Sequence, residues 1–281
     1  MQNTGHADLV QAADGSWWMV LLGVRPGGFT PDVHVLGRET FLTPWSGTRT
    51  AGLSSRPFPR ATRPGRSLAP GSGPARPRRL RRVSARPQWI SPFARPEGSW
   101  SLSQRPGWLT LTATGPTLDR PGYTFVGRRQ QHHDCHVTAA IDPGTGRGGL
   151  SVRLDEAHHY EVEVGNGEAA VVARIGPLRQ TVAGRPVPPG PLTLTVAIRT
   201  SDLVPASPEL TDGGTTGPDT VAFWLGTPDA PDAQPLAELD GRYLSTEVAC
   251  GFTGRVIGMY ATAGTVAFDW FEYRPTSAPS A

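Results

Sequence analysis

From Pro87 to Arg274 the chain repeats one pattern: a short apolar run, then a cluster of turn residues, then another run. "SWSLSQRPGWLTLTAT", "YTFVGRRQ", "CHVTAAID", "GGLSVRLDE", "HHYEVEVGNGEAAVVARIG", "GPLTLTVAIRT", "DTVAFWLG", "GFTGRVIGMYAT" and "GTVAFDWFEYRP" follow one another at the spacing of an all-β sandwich or barrel. Pro106-Gly107, Asn166 between two glycines and Asp240-Gly241 serve as turn devices. With 34 glycines and 29 prolines in 281 residues, long helices are disfavoured throughout. Trp108, Leu109, Leu111, Phe268 and Trp270 are read as core-facing residues near the two ends of this domain.

The N-terminal segment follows the same logic on a smaller scale. Ala7–Ala13 alternates loosely, Asp14-Gly15 signals a hairpin, and Ser16–Val24 is aromatic and β-branched. A loop through Gly27-Gly28 and Pro31 leads to a third strand over Leu36–Trp45. Three antiparallel strands make one small sheet, which cannot hide both its faces alone. With Trp17 and Trp18 in its middle strand, it is expected to lean on the larger domain or to aggregate.

Between these parts the texture changes. Ser46–Arg86 is dominated by Pro, Gly, Ser and Arg, without hydrophobic period. Twelve arginines and no acid fall between Phe41 and Pro96, so the other fifteen basic residues face all 24 acids. The net charge of +3 therefore describes one basic insert in an acidic protein. Because no aromatic platform interleaves the arginines, a solvated, disordered linker is preferred to a nucleic-acid patch. A run of the Arg/Pro/Gly/Ala type is also what GC-rich DNA yields out of frame, which stands as a third reading. Lysine is absent altogether.

The sequence contains no apolar stretch of about 20 residues that would cross a membrane as a helix, and no charged-then-apolar leader. As written, these features predict a cytoplasmic location. Cys135 and Cys250 could bridge, but a chain of this length with a real core does not need it.

Several groups of residues could carry chemistry. His132, Asp134 and His136 would share one face of a strand and tempt a metal reading, as does His158-His159. A zinc site wants tetrahedral closure by further ligands, so half-exposed polar strand faces are preferred for both. Asp269 offers a hard oxygen that could join a structural calcium; no other cofactor suggests itself. The carboxylates of the N-terminal sheet are Asp8, Asp14, Asp32 and Glu39, of which Asp14 belongs to a turn and Asp32 to a loop.

"GHADLV", "DGSWWMVLLGVRP" and "LGRETFLTPW", in that order and spacing, closely resemble the last blade of the glycoside hydrolase family 43 propellers, of the β-xylosidase and arabinofuranosidase type. "FVGRRQQHHDC", "EAHHYEVEV", "LSTEVACGFTGRVIGMYA" and "FDWFEYR" resemble the concanavalin A-like β-sandwich that follows that propeller. The resemblance implies an all-β chain in four parts: a partial blade over 1–45, a linker over 46–86, a sandwich over 87–275 and a tail over 276–281. It implies a pentose-containing saccharide such as a xylo-oligosaccharide as partner, rather than nucleic acid or membrane.

The parent reaction is inverting hydrolysis of β-xylosides or arabinosides. In the family the acid and base come from earlier blades, whose positions have no counterpart here. No catalytic residue is therefore assigned, and the chain alone is expected to have little or no hydrolase activity. A non-catalytic saccharide-binding sandwich is the alternative. By resemblance, His6 lies near the propeller axis, Arg38 of "GRET" reaches the sugar, and Phe252 of "CGFTG" closes the pocket mouth. For each the plain alternative is structural: a hydrogen-bonded His6, an Arg38–Glu39 strand-edge pair, a core Phe252.

Overall fold

A computed structural model of the chain describes residues 1–28, 32–46, 88–92, 98–200, 219–230 and 233–276. The Ser46–Arg86 expectation lies outside the described residues, Ser46 excepted. Strands dominate what is described. β1 (Gln2–Gln11), β2 (Trp17–Val24) and β3 (Glu39–Trp45) form a three-stranded antiparallel sheet. Two larger sheets follow. β4 (Trp100–Ser101), β5 (Leu109–Thr112), β7 (Cys135–Asp142), β12 (Leu192–Thr200), β13 (Asp219–Leu225), β14 (Ala237–Asp240) and β16 (Thr265–Pro275) make a seven-stranded sheet. β6 (Thr124–Arg129), β8 (Arg147–Arg153), β9 (His158–Gly165), β10 (Glu168–Ile175), β11 (Leu178–Pro186) and β15 (Val256–Ala263) make a six-stranded sheet.

The two larger sheets stack with their alternating apolar residues turned toward each other. Leu194, Val196 and Ile198 of β12 meet Tyr160, Val162 and Val164 of β9 in one continuous core. Each fully buried aliphatic side chain there contributes about 1.5–3 kcal/mol. The outward threonines of the seven-stranded sheet are satisfied locally: Thr195 Oγ1 donates to Gly226 O at 2.7 Å and lies 3.1 Å from Thr138 Oγ1. The β9–β10 hairpin turns on Asn166 and Gly167 alone, at φ 55° and 76°. Two consecutive positive φ angles match the right-handed strand twist, which is why Asn-Gly stands there.

Four expectations need correction. Trp108 and Trp270 are half-buried rather than core, although Leu109, Leu111 and Phe268 are fully buried. Trp108 instead lies under the Arg105 guanidinium, 3.7 Å from its ring centre. The third strand begins at Glu39, because Val33, Val35 and Leu36 form a small buried cluster of their own. His132 to Asp134 form bends, not strand; the Tyr273 hydroxyl gathers the Gln131 and His132 amides at 3.0 and 3.2 Å, and Asp134 accepts from Thr200 N. Finally, His159 is fully buried on the outer side of the six-stranded sheet. Its Nε2 lies 3.1 Å from Asp119 and its Nδ1 3.0 Å from Glu161, and Arg179 bridges the same two carboxylates. The loop carrying Leu118 and Tyr123 covers this face, so polar side chains that the alternation directs outward end up enclosed.

The three-stranded sheet does lean on the sandwich. Leu21 and Val24 are buried, yet Leu9, Val10, Trp17 and Trp45 remain about half-exposed. Val10 and Trp17 lie on opposite faces of the sheet, so both faces are apolar.

Candidate functional site

The contact between small sheet and sandwich is built mainly from backbone. Residues 34–38 run between the two legs of a loop spanning 244–255. His34 O accepts from Thr246 N at 3.2 Å, Val35 O from Arg255 N at 3.0 Å, and Phe252 O from Arg38 N at 3.2 Å. Gly37 and Thr253 form an antiparallel bridge between them. Gly37 (φ 69°) and Gly254 face each other so closely that a Cβ on either would fall inside the other strand's backbone. Arg25 adds a side-chain tie: its guanidinium grips Glu39 through both oxygens, at 2.7 and 2.9 Å, and donates to Gln131 O at 2.8 Å.

This seam brings Arg38 and Phe252 together. The guanidinium carbon lies 3.9 Å from the phenyl centre, the geometry of a cation–π contact. Glu39, the alternative partner of Arg38, is held by Arg25 instead. Phe252 is 66% exposed, so it is no core residue and keeps much of its ring open to a ligand. The two side chains border a cleft of about 170 Å³, lined also by Asn3, Val24, His34, Gly37, Thr246, Glu247 and Gly251. A larger cleft of about 320 Å³ lies among β11, β12 and β13; Arg185 is its only ionisable side chain, and it has no aromatic wall.

The loop carrying Phe252 is anchored at its base by a buried ion pair. Arg255 is fully enclosed; its guanidinium donates to both Asp219 oxygens, to Gly241 O, and through Nε to Leu244 O at 2.8 Å. Between the anchors a 3₁₀ turn (Gly241–Leu244), capped by the Asp240 side chain, leads into the four-residue helix α1 (Thr246–Ala249). Glu247 of α1 reaches across the seam. It accepts from His34 N at 2.8 Å and contacts His34 Nδ1.

Burial raises the Glu247 carboxyl pKa, but the backbone and imidazole bonds from His34 outweigh it, and the net shift is downward. A carboxyl depressed in the folded state contributes stability above its ordinary value of 4.5 and loses it as pH falls through the folded value. The seam is therefore expected to weaken on acidification below about pH 4.5, through protonation of Glu247. Melting temperature followed from pH 7 downward in the wild type and in Glu247→Gln checks this; identical profiles would contradict it.

The other sequence-predicted residues stand apart from the cleft. His6 is exposed on β1, at φ 48° within the register shift between Gly5 and Asp8, and does not line the cleft. Asp14 Oδ1 caps the hairpin turn through Ser16, Asp32 accepts from Gln2, and Asp8 is exposed on β1. Asp269 sits at the β16 irregularity between Phe268 and Trp270. No group of three or more His, Cys, Asp or Glu side chains among the described residues is disposed to hold a metal ion, so neither Asp269 nor the His132–His136 segment has a ligand set there. Both cysteines are free; Cys135 is buried, which pushes its thiol up to about 12, and Cys250 is exposed. Nothing in the sequence marks His34 or Glu247, because neither sits in a pattern and they meet only across 213 residues.

Chemically, the cleft offers a fixed fork of hydrogen-bond donors beside an exposed phenyl face. That suits a sugar, whose hydroxyls take the donors and whose C–H face takes the ring. It does not by itself offer an acid and a base across a scissile bond, which inverting hydrolysis places about 6.5–9.5 Å apart.

Residues 83–274 match the family described as the β-xylosidase C-terminal concanavalin A-like domain. A non-reducing end α-L-arabinofuranosidase of Bacteroides ovatus, BoGH43B, is 31% identical across 97% of this chain and 51% of its own length. The structure of the GH43B protein of the B. ovatus xyloglucan locus aligns with TM-score 0.72 at 27% identity, over 97% of this chain and 54% of that one. Xylan β-1,4-xylosidase of Bacillus halodurans aligns with TM-score 0.71 at 22% identity, over 96% and 53% respectively. The chain thus spans about half the length of these proteins.

Proposed function

Since the chain belongs to the glycoside hydrolase family 43 group carrying the β-xylosidase C-terminal concanavalin A-like domain, we propose that it forms one wall of a pocket for a terminal pentose of a hemicellulose-type saccharide. Arg38 donates to the sugar hydroxyls and Phe252 covers its apolar side. The observation that carries this reading is the apposition of these two side chains, from parts of the chain over 200 residues apart, on one open cleft. The relatives named for arabinofuranosidase and xylosidase activity support the choice of a pentose. Glu39 and Glu247 are bound to Arg25 and His34, which leaves them unsuited to protonate a leaving group or activate water. In this proposal those steps belong to carboxylates of the remaining half of the relatives' length, with the sandwich as the scaffold that holds Phe252 in place.

Saccharide titration of the purified chain tests the proposal. It is expected to bind xylose or arabinose and xylobiose without turning over an aryl xyloside. Arg38→Ala is expected to weaken binding by about tenfold or more, the worth of a hydrogen bond to a charged donor. Hydrolysis at an ordinary enzymatic rate would contradict the division of labour. Binding indifferent to both Arg38→Ala and Phe252→Ala would place the saccharide elsewhere on the sandwich, as a stand-alone binding module.

A further inference from the structure

The leg of the loop that leads to Phe252 is held by little of its own; the Phe252 backbone itself is tied to Arg38 N. The helix before it, α1, has four residues and no side-chain N-cap, far below the length at which a helix sustains itself. From α1 the chain leaves through Cys250 (φ 64°, ψ −179°), in a region close to glycine-only, and then Gly251 (φ 88°). Neither helix propensity nor relaxed backbone fixes this leg of the loop. The opposite leg is well fixed, by the Gly37–Thr253 bridge and by the buried Arg255. On the α1 side the described contacts to the small sheet converge on one residue, His34, through Thr246 N, and through both oxygens of Glu247. Among the described residues His34 Nε2 is buried without a hydrogen-bond partner, so the hydrogen-bonding contact that orients the ring there is the one to Glu247.

We propose that Glu247, acting through His34, is the positioning residue that keeps Phe252 over Arg38 and thereby sets how long a saccharide the cleft admits. The positioning follows from the contacts above; its consequence for saccharide length rests on the functional reading of the cleft. With the clamp closed, the phenyl ring stands against the Arg38 guanidinium and walls the cleft on that side. With Glu247 released, α1 loses its hold on the small sheet, and the Cys250–Phe252 arm relaxes away from Arg38.

Hydrogen exchange on the full chain tests this without any saccharide. In Glu247→Ala, the amides of Thr246 and Arg38, which donate across the seam to His34 O and Phe252 O, are expected to exchange about five- to tenfold faster, while amides in β7 and β12 keep their rates. Glu247→Gln, whose side-chain carbonyl can still accept from His34 N, is expected to regain most of the protection; His34→Ala serves as a second lesion on the other side of the clamp. Unchanged Thr246 and Arg38 amides in both Glu247→Ala and His34→Ala overturn the proposal. So does uniform acceleration across the sandwich, which marks Glu247 as merely structural. In the same variants the preference for xylose over xylotriose is expected to shift toward the longer sugar; an unchanged preference in a variant with a loosened seam removes the length-setting role. A wild-type chain that binds neither sugar defeats the reading of the cleft but leaves the exchange result to judge the clamp.

Discussion

Asp219→Ala is expected to destabilise the sandwich by about 3–5 kcal/mol, the cost of stranding a buried charge. The Arg255 guanidinium has no exposed surface, and Asp219 is the carboxylate that neutralises it. Leu244 O and Gly241 O satisfy part of its hydrogen-bonding capacity but not its charge. Asp219→Asn keeps an acceptor and should cost less. The double variant Asp219→Ala/Arg255→Met removes charge and countercharge together, and is expected to recover much of the loss, since an apolar replacement of a buried pair is often nearly neutral. Urea unfolding followed by tryptophan fluorescence reads all three. A loss below about 1 kcal/mol for Asp219→Ala would mean that the pair is solvated in solution and no real anchor for the Phe252 loop.

Gly37→Ala is expected to open the seam. A left-handed backbone costs an L-residue about 1–2 kcal/mol, and the new Cβ would also sit inside the Thr253–Gly254 backbone. Overlap with backbone cannot be relieved by a rotamer change, so the two segments must separate. Arg38 and Phe252 are the next residues on each side, and the apposition that defines the cleft should be lost with the bridge. Saccharide binding is then expected to fall at least as far as in Arg38→Ala, while the buried sandwich core keeps its cooperative melt. Gly190→Ala supplies the control: φ is 104° there, but a Cβ would meet nothing within 4 Å. Amide protection around 36–38 and 253–255 that is as unchanged in Gly37→Ala as in Gly190→Ala would show that the close approach of Gly37 and Gly254 does not hold the seam.

The all-β class was legible because strand signals are local. Alternation in "LTLTVAI" places Leu194, Val196 and Ile198 on one face whatever they pack against, and Asn166-Gly167 closes a hairpin from its own φ preferences. Arg38 and Phe252 were legible through the order of motifs, as a resemblance, and not through any local physical signal. The misreadings share one origin. Trp108 looks like core by hydropathy, but it lies in a turn where Arg105 can cover it. His159 looks like a half-exposed strand residue by alternation, but a loop from elsewhere buries it among Asp119, Glu161 and Arg179. In both, the deciding neighbour is not encoded in the strand's own pattern.

By itself, then, the amino-acid sequence determined the all-β class, the hairpin turns and which side of a regular strand such as β12 faces the core, because these depend on backbone preferences and on a two-residue period within a few positions of the chain. Tertiary structure alone decided that Glu39 goes to Arg25 and leaves Arg38 for Phe252, that Glu247 finds His34, and that Gly37 and Gly254 meet. Those choices depend on Coulomb and contact terms that act over a few ångströms in space, between residues whose separation along the chain carries no signal of it.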